Sequence, residues 1–267
     1  YTEKEFNPDL KVYVKKSVEG TYKTAIGWVR YANQVSYKIP NEIKIAHQYG
    51  TFAREFDADL GIYARENGDN GRIGAFVAQT GDLKKGTVAG NEVIKCMMKS
   101  INYNTNVPAY DYVPAETGVL LESRSGLQTP ADFYYAIGEE DNTTYTIANN
   151  VMEGVTVKNK KMQLTSSDAT VFAMTKSGLF KPLKLNVEHN LPVHKAVAKL
   201  QVSTSSPAKV MFVFDDGSSI DAETTGIEHI ANTTAADDNV YYNLQGQRVE
   251  HPQHGVFIHN GKKVVLK

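Results

Sequence analysis

Short segments in which apolar and polar residues alternate run through this chain, and they constrain its fold more than any other feature. Leu-Lys-Val-Tyr-Val-Lys at residues 10–15 alternates cleanly, and residues 34–39 place valine, tyrosine and isoleucine on one face. Because residues two apart lie on the same face of a strand, this period predicts β structure. No segment keeps a helical apolar repeat over three turns, and only residues 129–134, with Pro130 in the first turn, fit a short helix.

Turn-forming clusters separate these segments. Examples are Asn-Gly-Asp-Asn-Gly at residues 67–71, Lys-Gly at 85–86 and Asp-Asp-Gly at 215–217. Short strands at regular spacing between such turns predict an all-β chain made of β-sandwich-like modules. The predicted strands cover residues 10–15, 24–31, 34–39, 43–47, 60–65, 73–80, 92–98, 118–122, 132–136, 163–164, 171–175, 179–187, 197–202 and 209–214.

The composition also changes along the chain and divides it into four parts. Small polar residues dominate positions 221–239, which is typical of a linker. Beyond them, Asn260-Gly261 stands between two alternating runs and is the strongest short hairpin signal in the chain. The predicted parts are an N-terminal β segment at 1–42, either the start of a sandwich or the end of an upstream domain; a central β-sandwich-like region of one or two subdomains at 43–220; the linker at 221–239; and a small C-terminal β-hairpin unit at 240–267.

Charge and cysteine content exclude several classes of protein. The chain has 29 basic and 30 acidic residues, a formal net charge of -1, which gives no electrostatic reason to expect nucleic acid or an anionic membrane as partner. It has no run of 18 apolar residues, so we expect no transmembrane segment. Cys96 is its single cysteine, so no internal disulfide can form. Because the chain begins at Tyr1 rather than at Met, we expect a processed or trimmed chain, and an upstream domain missing from it is left open.

The C-terminal residues resemble a known tail. Tyr242 to Val249 follows the pattern Tyr-x-Leu-x-Gly-x-x-Val, and Gly255 to Val264 follows Gly-x-aromatic-Ile-x-x-Gly-Lys-Lys-Val. This tail resembles the short C-terminal segment of many secreted Bacteroidales surface proteins, and it is similar to the end of type IX secretion sorting domains. The resemblance implies an extracytoplasmic protein, secreted or held on the outer cell surface.

The middle of the chain resembles the uncharacterised β domain that often precedes such tails. The shared elements are Gly-Thr-Phe at 50–52, Pro-Ala-Glu-Thr-Gly-Val at 114–119, Pro-Val-His-Lys-Ala at 192–196 and Phe-Asp-Asp-Gly at 214–217. These motifs are structural rather than chemical. The resemblance therefore implies a fold and a location, and it assigns no functional residue.

Residue types that carry chemistry occur without the spacing that chemistry needs. Cys96 lies in an apolar strand, which predicts a buried structural thiol. His251 and His254 have a spacing that zinc allows but no second pair nearby in sequence, and the acidic pairs at 57/59 and 215/216 do not fit a calcium loop. Glu-Glu-Asp at 139–141 is typical of a solvated loop rather than of a glycosidase pair. We predict no catalytic residue, no metal ligand and no cofactor; weak metal or calcium binding is the alternative at the histidine and aspartate pairs.

Aromatic residues are the best candidates for binding a partner. Exposed planar rings stack on sugars, and protein interfaces also favour them. The residues predicted to bind a ligand are Trp28, Tyr31, Tyr37 and Tyr134. The favoured hypothesis is a non-catalytic module that binds a glycan or a surface protein, or acts in adhesion; the alternative is an accessory region, such as a carbohydrate-binding one, of a larger secreted enzyme.

Overall fold

The structure, a computed structural model, divides into two compact units, Tyr1–Thr224 and Thr225–Lys267. It is all-β, as predicted, with many antiparallel strand pairs and few helices. The residues that it describes are 7–40, 45, 48–88, 90–101, 112–124, 129–139, 147–165, 169–176, 178–201, 209–215 and 217–222, together with the tail strands at 241–242, 248–249, 255–259 and 262–266.

The strands in the described part of the first unit are short. They are β1 (Val12–Tyr13), β2 (Val35–Ser36), β3 (Ile39–Pro40), β4 (Tyr49–Phe52), β5 (Ala58–Asp59), β6 (Ile73–Val77), β7 (Leu83–Val88), β8 (Asn91–Met97), β9 (Lys99–Ser100), β10 (Tyr112–Val113), β11 (Val119–Ser123), β12 (Tyr134–Ile137), β13 (Met152–Val155), β14 (Lys161–Gln163), β15 (Thr170–Met174), β16 (Phe180–Pro182), β17 (Glu188–Asn190), β18 (Lys195–Leu200), β19 (Lys209–Val213) and β20 (Ser219–Ala222).

Three sheets organise these strands. A small sheet has the order β10-β5-β12-β3, a middle sheet has the order β4-β11-β6-β9, and a large sheet has the order β13-β18-β15-β16-β20-β19-β8-β7. Two further ladders pair β1 with β2 in parallel and β14 with β17 in antiparallel fashion.

The central strands of the middle sheet are buried on both faces. Every residue of β6 and β11 is buried, and both sequences are mainly apolar rather than alternating, although β11 ends in the buried polar residues Glu122 and Ser123. Ala75 and Leu121 pack into the core shared with the small sheet, whereas Phe76 and Leu120 pack into the core shared with the large sheet. The middle sheet therefore separates two cores of the first unit, and a third, smaller cluster holds Val155, Val171, Leu191 and Val197.

The predicted strand at 24–31 is wrong. Helix α1 (Glu19–Thr24) ends at the first of these residues, and turns follow it, the last of them a 3-10 turn at Val29–Tyr31. Local bonds use the amides that a strand would need: the Ala25 amide donates to the Thr21 carbonyl at 2.9 Å, and the Tyr31 amide donates to the Trp28 carbonyl at 2.7 Å. Another 3-10 turn, Lys16–Val18, precedes α1, so residues 7–40, the described part of the N-terminal segment, contribute only β1, β2 and β3 to sheets.

Two further local predictions, a strand at 60–65 and a helix at 129–134, are also wrong. The predicted strand at 60–65 is helix α2 (Ile62–Glu66), a single turn that buries Ile62, Tyr63 and Ala64. The predicted helix at 129–134 is a turn, closed by the Phe133 amide bonding to the Pro130 carbonyl, before β12 begins. One more 3-10 turn lies at Thr80–Asp82, and most of the predicted strand at 43–47 lies outside the described residues.

The second unit is a four-stranded antiparallel sheet. Its strands are β21 (Tyr241–Tyr242), β22 (Arg248–Val249), β23 (Gly255–His259) and β24 (Lys262–Leu266), in the order β22-β21-β23-β24. Strands β23 and β24 pair from Gly255↔Leu266 to His259↔Lys262, which confirms the predicted hairpin. The Asn260-Gly261 turn and all but the first two residues of the predicted linker lie outside the described residues.

Over the described part of the chain, no helix is both long and apolar enough to cross a membrane.

Candidate functional site

Trp28 lies in a short, folded loop that we call the aromatic loop, residues 22–31. Helix α1 ends at Thr24, and Gly27 has a φ of +87°, a conformation that glycine adopts without strain. This brings the Trp28 ring edge-on against Tyr22, with ring centroids 5.4 Å apart, and against Tyr31 at 6.3 Å. Two of the four predicted binding residues, Trp28 and Tyr31, therefore lie together.

Aliphatic side chains extend this cluster into solvent. Ile26 is fully exposed, Val29 is 60% exposed and Trp28 is 38% exposed. Next to them, the Arg30 guanidinium lies 4.8 Å from the centroid of the Tyr31 ring and donates to the Tyr31 hydroxyl at 3.0 Å. The loop thus presents apolar side chains beside an aromatic and a cationic one.

The other two predicted residues, Tyr37 and Tyr134, meet at a carboxylate. The Tyr37 hydroxyl donates to Glu66 at 2.9 Å, the Tyr134 hydroxyl donates to the same oxygen, and the Lys16 ammonium pairs with the other oxygen at 2.6 Å. We call Lys16, Tyr37, Lys38, Glu66 and Tyr134 the tyrosine–glutamate cluster. Tyr134 is only 8% exposed, so its ring is part of the core rather than of an open surface.

Titration in this cluster follows from its hydrogen bonds. Burial disfavours the charge on Glu66, but bonds from Lys16, Tyr134 and Tyr37 outweigh it and lower the pKa of that carboxyl to about 2. Burial, and then the bond to Glu66, raises the pKa of Tyr37 to about 12. The hydrogen bond to Tyr134 raises the pKa of Lys38, whose ammonium lies 4.3 Å from the centroid of the Tyr134 ring. Glu66 is therefore a carboxylate, and Tyr37 a neutral hydroxyl that donates to it, over the ordinary pH range.

A second polar cluster was not predicted from the sequence. Buried Arg54 donates to the Tyr135 hydroxyl at 2.8 Å and contacts Nδ1 of His194 at 3.2 Å, while Glu55 lies 3.5 Å from Nε2 of the same ring. Because a guanidinium can only donate, Nδ1 accepts, and the proton of a neutral ring lies on Nε2 facing Glu55. His194 has a φ of +63°, which is uncommon for any residue but glycine. Its position inside the Pro-Val-His-Lys-Ala element was the one sequence signal that pointed here.

Two cavities lie between strands of the first unit. One, about 500 Å³, lies beside the Pro-Ala-Glu-Thr-Gly turn and β13. Its polar groups already bond within the protein: the Asn150 amide donates to the Gly118 carbonyl at 2.9 Å, and Glu153 pairs with Lys160 at 2.8 Å. The other, about 440 Å³, lies between β4 and the strands β15 and β18 and is mainly apolar, with lysines at its edge.

The cysteine and acidic residues considered as candidates for catalysis are either buried or bonded to other groups of the protein. Cys96 is buried, and burial raises the pKa of its thiol to about 12. Asp57 accepts the Ala115 amide at 2.8 Å, and Asp59 pairs with Arg65. Glu139 accepts the Ser17 amide at 2.9 Å and so holds the N-terminal segment.

The described part of the chain contains no group of three or more His, Cys, Asp or Glu side chains placed to hold a metal ion. Glu140, Asp141, Asp216, His251 and His254 lie outside the described residues.

Comparison with models of known protein families, with curated proteins and with solved structures gave no match to this chain.

Proposed function

We propose that this chain is a non-catalytic, secreted or cell-surface β module that binds a protein partner through the aromatic loop. The observation that carries the proposal is the full exposure of Ile26 beside half-exposed Trp28 and Val29. Single exposed apolar residues are ordinary, but a contiguous group of them is typical of an interaction surface. The extracytoplasmic location rests on the resemblance of the C-terminal tail.

The loop has the composition of an interface centre. Trp, Tyr and Arg are the residues that most often dominate binding energy, and in this loop Trp28 and Arg30 each contact Tyr31. Covering an exposed large aliphatic or aromatic side chain contributes about 1.5–3 kcal/mol. The local turn bonds and ring contacts order the loop in advance, which lowers the entropy lost on binding.

A protein surface suits this loop better than a glycan does. Sugar sites combine a flat ring face with polar groups that bond the hydroxyls. The side chains that project furthest here, Ile26 and Val29, have no hydrogen-bonding atom. They favour an apolar pocket on a partner protein.

The test compares two arrays, one of purified extracellular and surface proteins and one of glycans, probed with labelled protein. The double variant Ile26→Ser/Val29→Ser removes the apolar tip. The matched control, Val157→Ser/Leu185→Ser, removes two exposed apolar side chains elsewhere. We expect saturable binding to a protein on the array that the loop variant weakens at least tenfold and the control leaves unchanged. The proposal fails if no protein signal depends on the loop, including the case in which only a glycan signal does.

A further inference from the structure

The aromatic loop carries positive charge that the protein balances only in part. Residues 22–31 contain two basic residues and no acidic residue. One of the two, Lys23, pairs with Glu19 at 2.9 Å, one helical turn before it on α1. The other, Arg30, is exposed and has no ion pair with any residue that the structure describes. Within the loop, Arg30 is therefore the cation that is available to another molecule.

The basic residues that flank the loop already contact a carboxylate. The Lys16 ammonium lies 2.6 Å from Glu66, and the Lys38 ammonium lies 3.8 Å from the other oxygen of the same group. These contacts attach the segment to the rest of the first unit. They leave the charge of Arg30 unbalanced beside the apolar side chains of the loop.

A neighbouring tyrosine holds the Arg30 guanidinium in place. The guanidinium carbon lies 4.8 Å from the centroid of the Tyr31 ring, and Nη2 donates to the Tyr31 hydroxyl at 3.0 Å. A guanidinium has five N–H donors, so most of them remain for a partner. Its planar fork matches the two oxygens of a carboxylate and can bond to both. Because the group is already oriented, less side-chain entropy is lost when it pairs.

Binding through the loop would also remove water from Arg30. Its neighbour Val29 is 60% exposed, and the Tyr31 ring on which the guanidinium lies is 6.3 Å from the Trp28 ring. A surface that covers Val29 and Trp28 therefore also approaches Arg30. Desolvating a charge without supplying an opposite one is costly, whereas an ion pair in water-poor surroundings is stronger than one in open solvent. A partner that binds tightly therefore needs a carboxylate at this position.

We infer that the partner protein has an apolar pocket bordered by an Asp or Glu side chain, and that this carboxylate pairs with Arg30. Ile26 and Val29 enter the pocket. Arg30 selects among proteins with such pockets, because a neutral or basic border leaves its guanidinium desolvated and unpaired. This inference rests on the proposed function, since it specifies the partner of the same loop.

The experiment uses the array proteins whose binding depends on Ile26 and Val29. Each is titrated with wild type, Arg30→Gln and Arg30→Lys. We expect Arg30→Gln to weaken binding about tenfold, and Arg30→Lys to weaken it less, because lysine keeps the charge but loses the fork. The control Lys158→Gln removes another exposed positive charge that has no ion pair among the described residues, and it leaves the affinities unchanged. Trp28 is the single tryptophan, so unchanged emission verifies that each variant keeps the packing of the loop.

Substitutions in the bound array protein then identify the carboxylate. Its surface Asp and Glu residues are replaced one at a time by Asn or Gln. We expect one replacement to weaken binding of wild type about tenfold and to have no further effect on Arg30→Gln, because the two groups form one pair.

Two kinds of failure are distinguishable. The inference is overturned, and the proposed function retained, if loop-dependent proteins bind Arg30→Gln as tightly as wild type. The same conclusion follows if Lys158→Gln weakens them equally, or if no acidic side chain of the partner couples to Arg30. If no array protein depends on Ile26 and Val29, the proposed function itself fails, and the inference fails with it.

Discussion

The hydroxyl of Tyr37 donates a hydrogen bond of 2.9 Å to the carboxylate of Glu66, and this contact fastens the N-terminal segment to the end of α2. Lys16 approaches the same carboxylate from the 3-10 turn before α1, at 2.6 Å. The aromatic loop lies between Lys16 and Tyr37 in the chain, so the longer segment that carries it is anchored on both sides at one acidic side chain. A binding loop held at both ends is presented in a defined position.

Replacing Glu66 with Gln should destabilise the first unit in a pH-dependent manner. The pKa of Glu66 is lowered from 4.5 to about 2, so its contribution is complete above pH 4.5 and is lost as the pH falls toward 2. Because the side chain is partly exposed, solvent screening limits the loss at pH 7 to about 1 kcal/mol. Urea unfolding of wild type and variant at several pH values measures it, and the difference between them should shrink between pH 5 and pH 2.

A matched substitution controls for the change of charge alone. Glu188 pairs with Lys161 at 2.8 Å, but both side chains are more than half exposed. Glu188→Gln should therefore change the free energy of unfolding by about 0.5 kcal/mol or less at any pH. A difference for Glu66→Gln that stays constant from pH 7 to pH 2 would show that the carboxylate charge does not hold the segment.

The alternating pattern predicted strands well where a partner strand covers one face. The predictions at 92–98 and 209–214 match β8 and β19, which pair in parallel inside the large sheet. At 24–31 the same pattern failed, because local turn bonds satisfied the backbone and left Ile26 in solvent. Lys85-Gly86, predicted as a turn, lies within β7, an edge strand whose polar sequence conceals its pairing with β8.

Only the local part of the candidate site could be foreseen. Trp28 and Tyr31 are close in sequence, so their contact follows from the chain itself. Tyr37 and Tyr134 come together through Glu66, and Arg54 meets a histidine 140 positions away; neither contact has a local signal. The cavities are lined by strands that are far apart in the sequence, so no single segment could predict them.

Replacing Gly118 with Ala should be strongly destabilising. A Cβ at this position would lie 2.6 Å from the Met152 carbonyl oxygen and 2.7 Å from the Gly154 amide nitrogen, so a backbone would have to move. Overpacking of this kind costs about 1–3 kcal/mol. Gly20→Ala in α1 is the control: nothing lies within 4 Å of its added Cβ, and helix propensity should stabilise it by up to about 1 kcal/mol. Equal midpoints of urea unfolding for the two variants would contradict the close approach of β13 to Gly118.

Cys96 should be inert in the folded protein. It is fully buried, and burial raises the pKa of its thiol to about 12, so almost no thiolate exists at pH 8. Mixing the native protein with 5,5′-dithiobis(2-nitrobenzoate) at pH 8 should release no thionitrobenzoate over the time in which a urea-unfolded sample reacts completely. Rapid reaction of the native protein at one equivalent would show that the core around Cys96 opens readily.

The backbone at His194 makes the last prediction. With a φ of +63°, this residue occupies a region that costs an L-amino acid about 1 kcal/mol relative to glycine, while its ring contacts Arg54 and Glu55. His194→Ala and His194→Gly both remove the ring, so the difference between their free energies of unfolding measures the cost of the backbone conformation alone. We expect the glycine variant to be the more stable of the two by about 1 kcal/mol in urea unfolding. Val193 does not have a positive φ, so Val193→Ala should be more stable than Val193→Gly, because glycine there only adds entropy to the unfolded chain. If alanine is at least as stable as glycine at position 194, the left-handed conformation does not hold in solution.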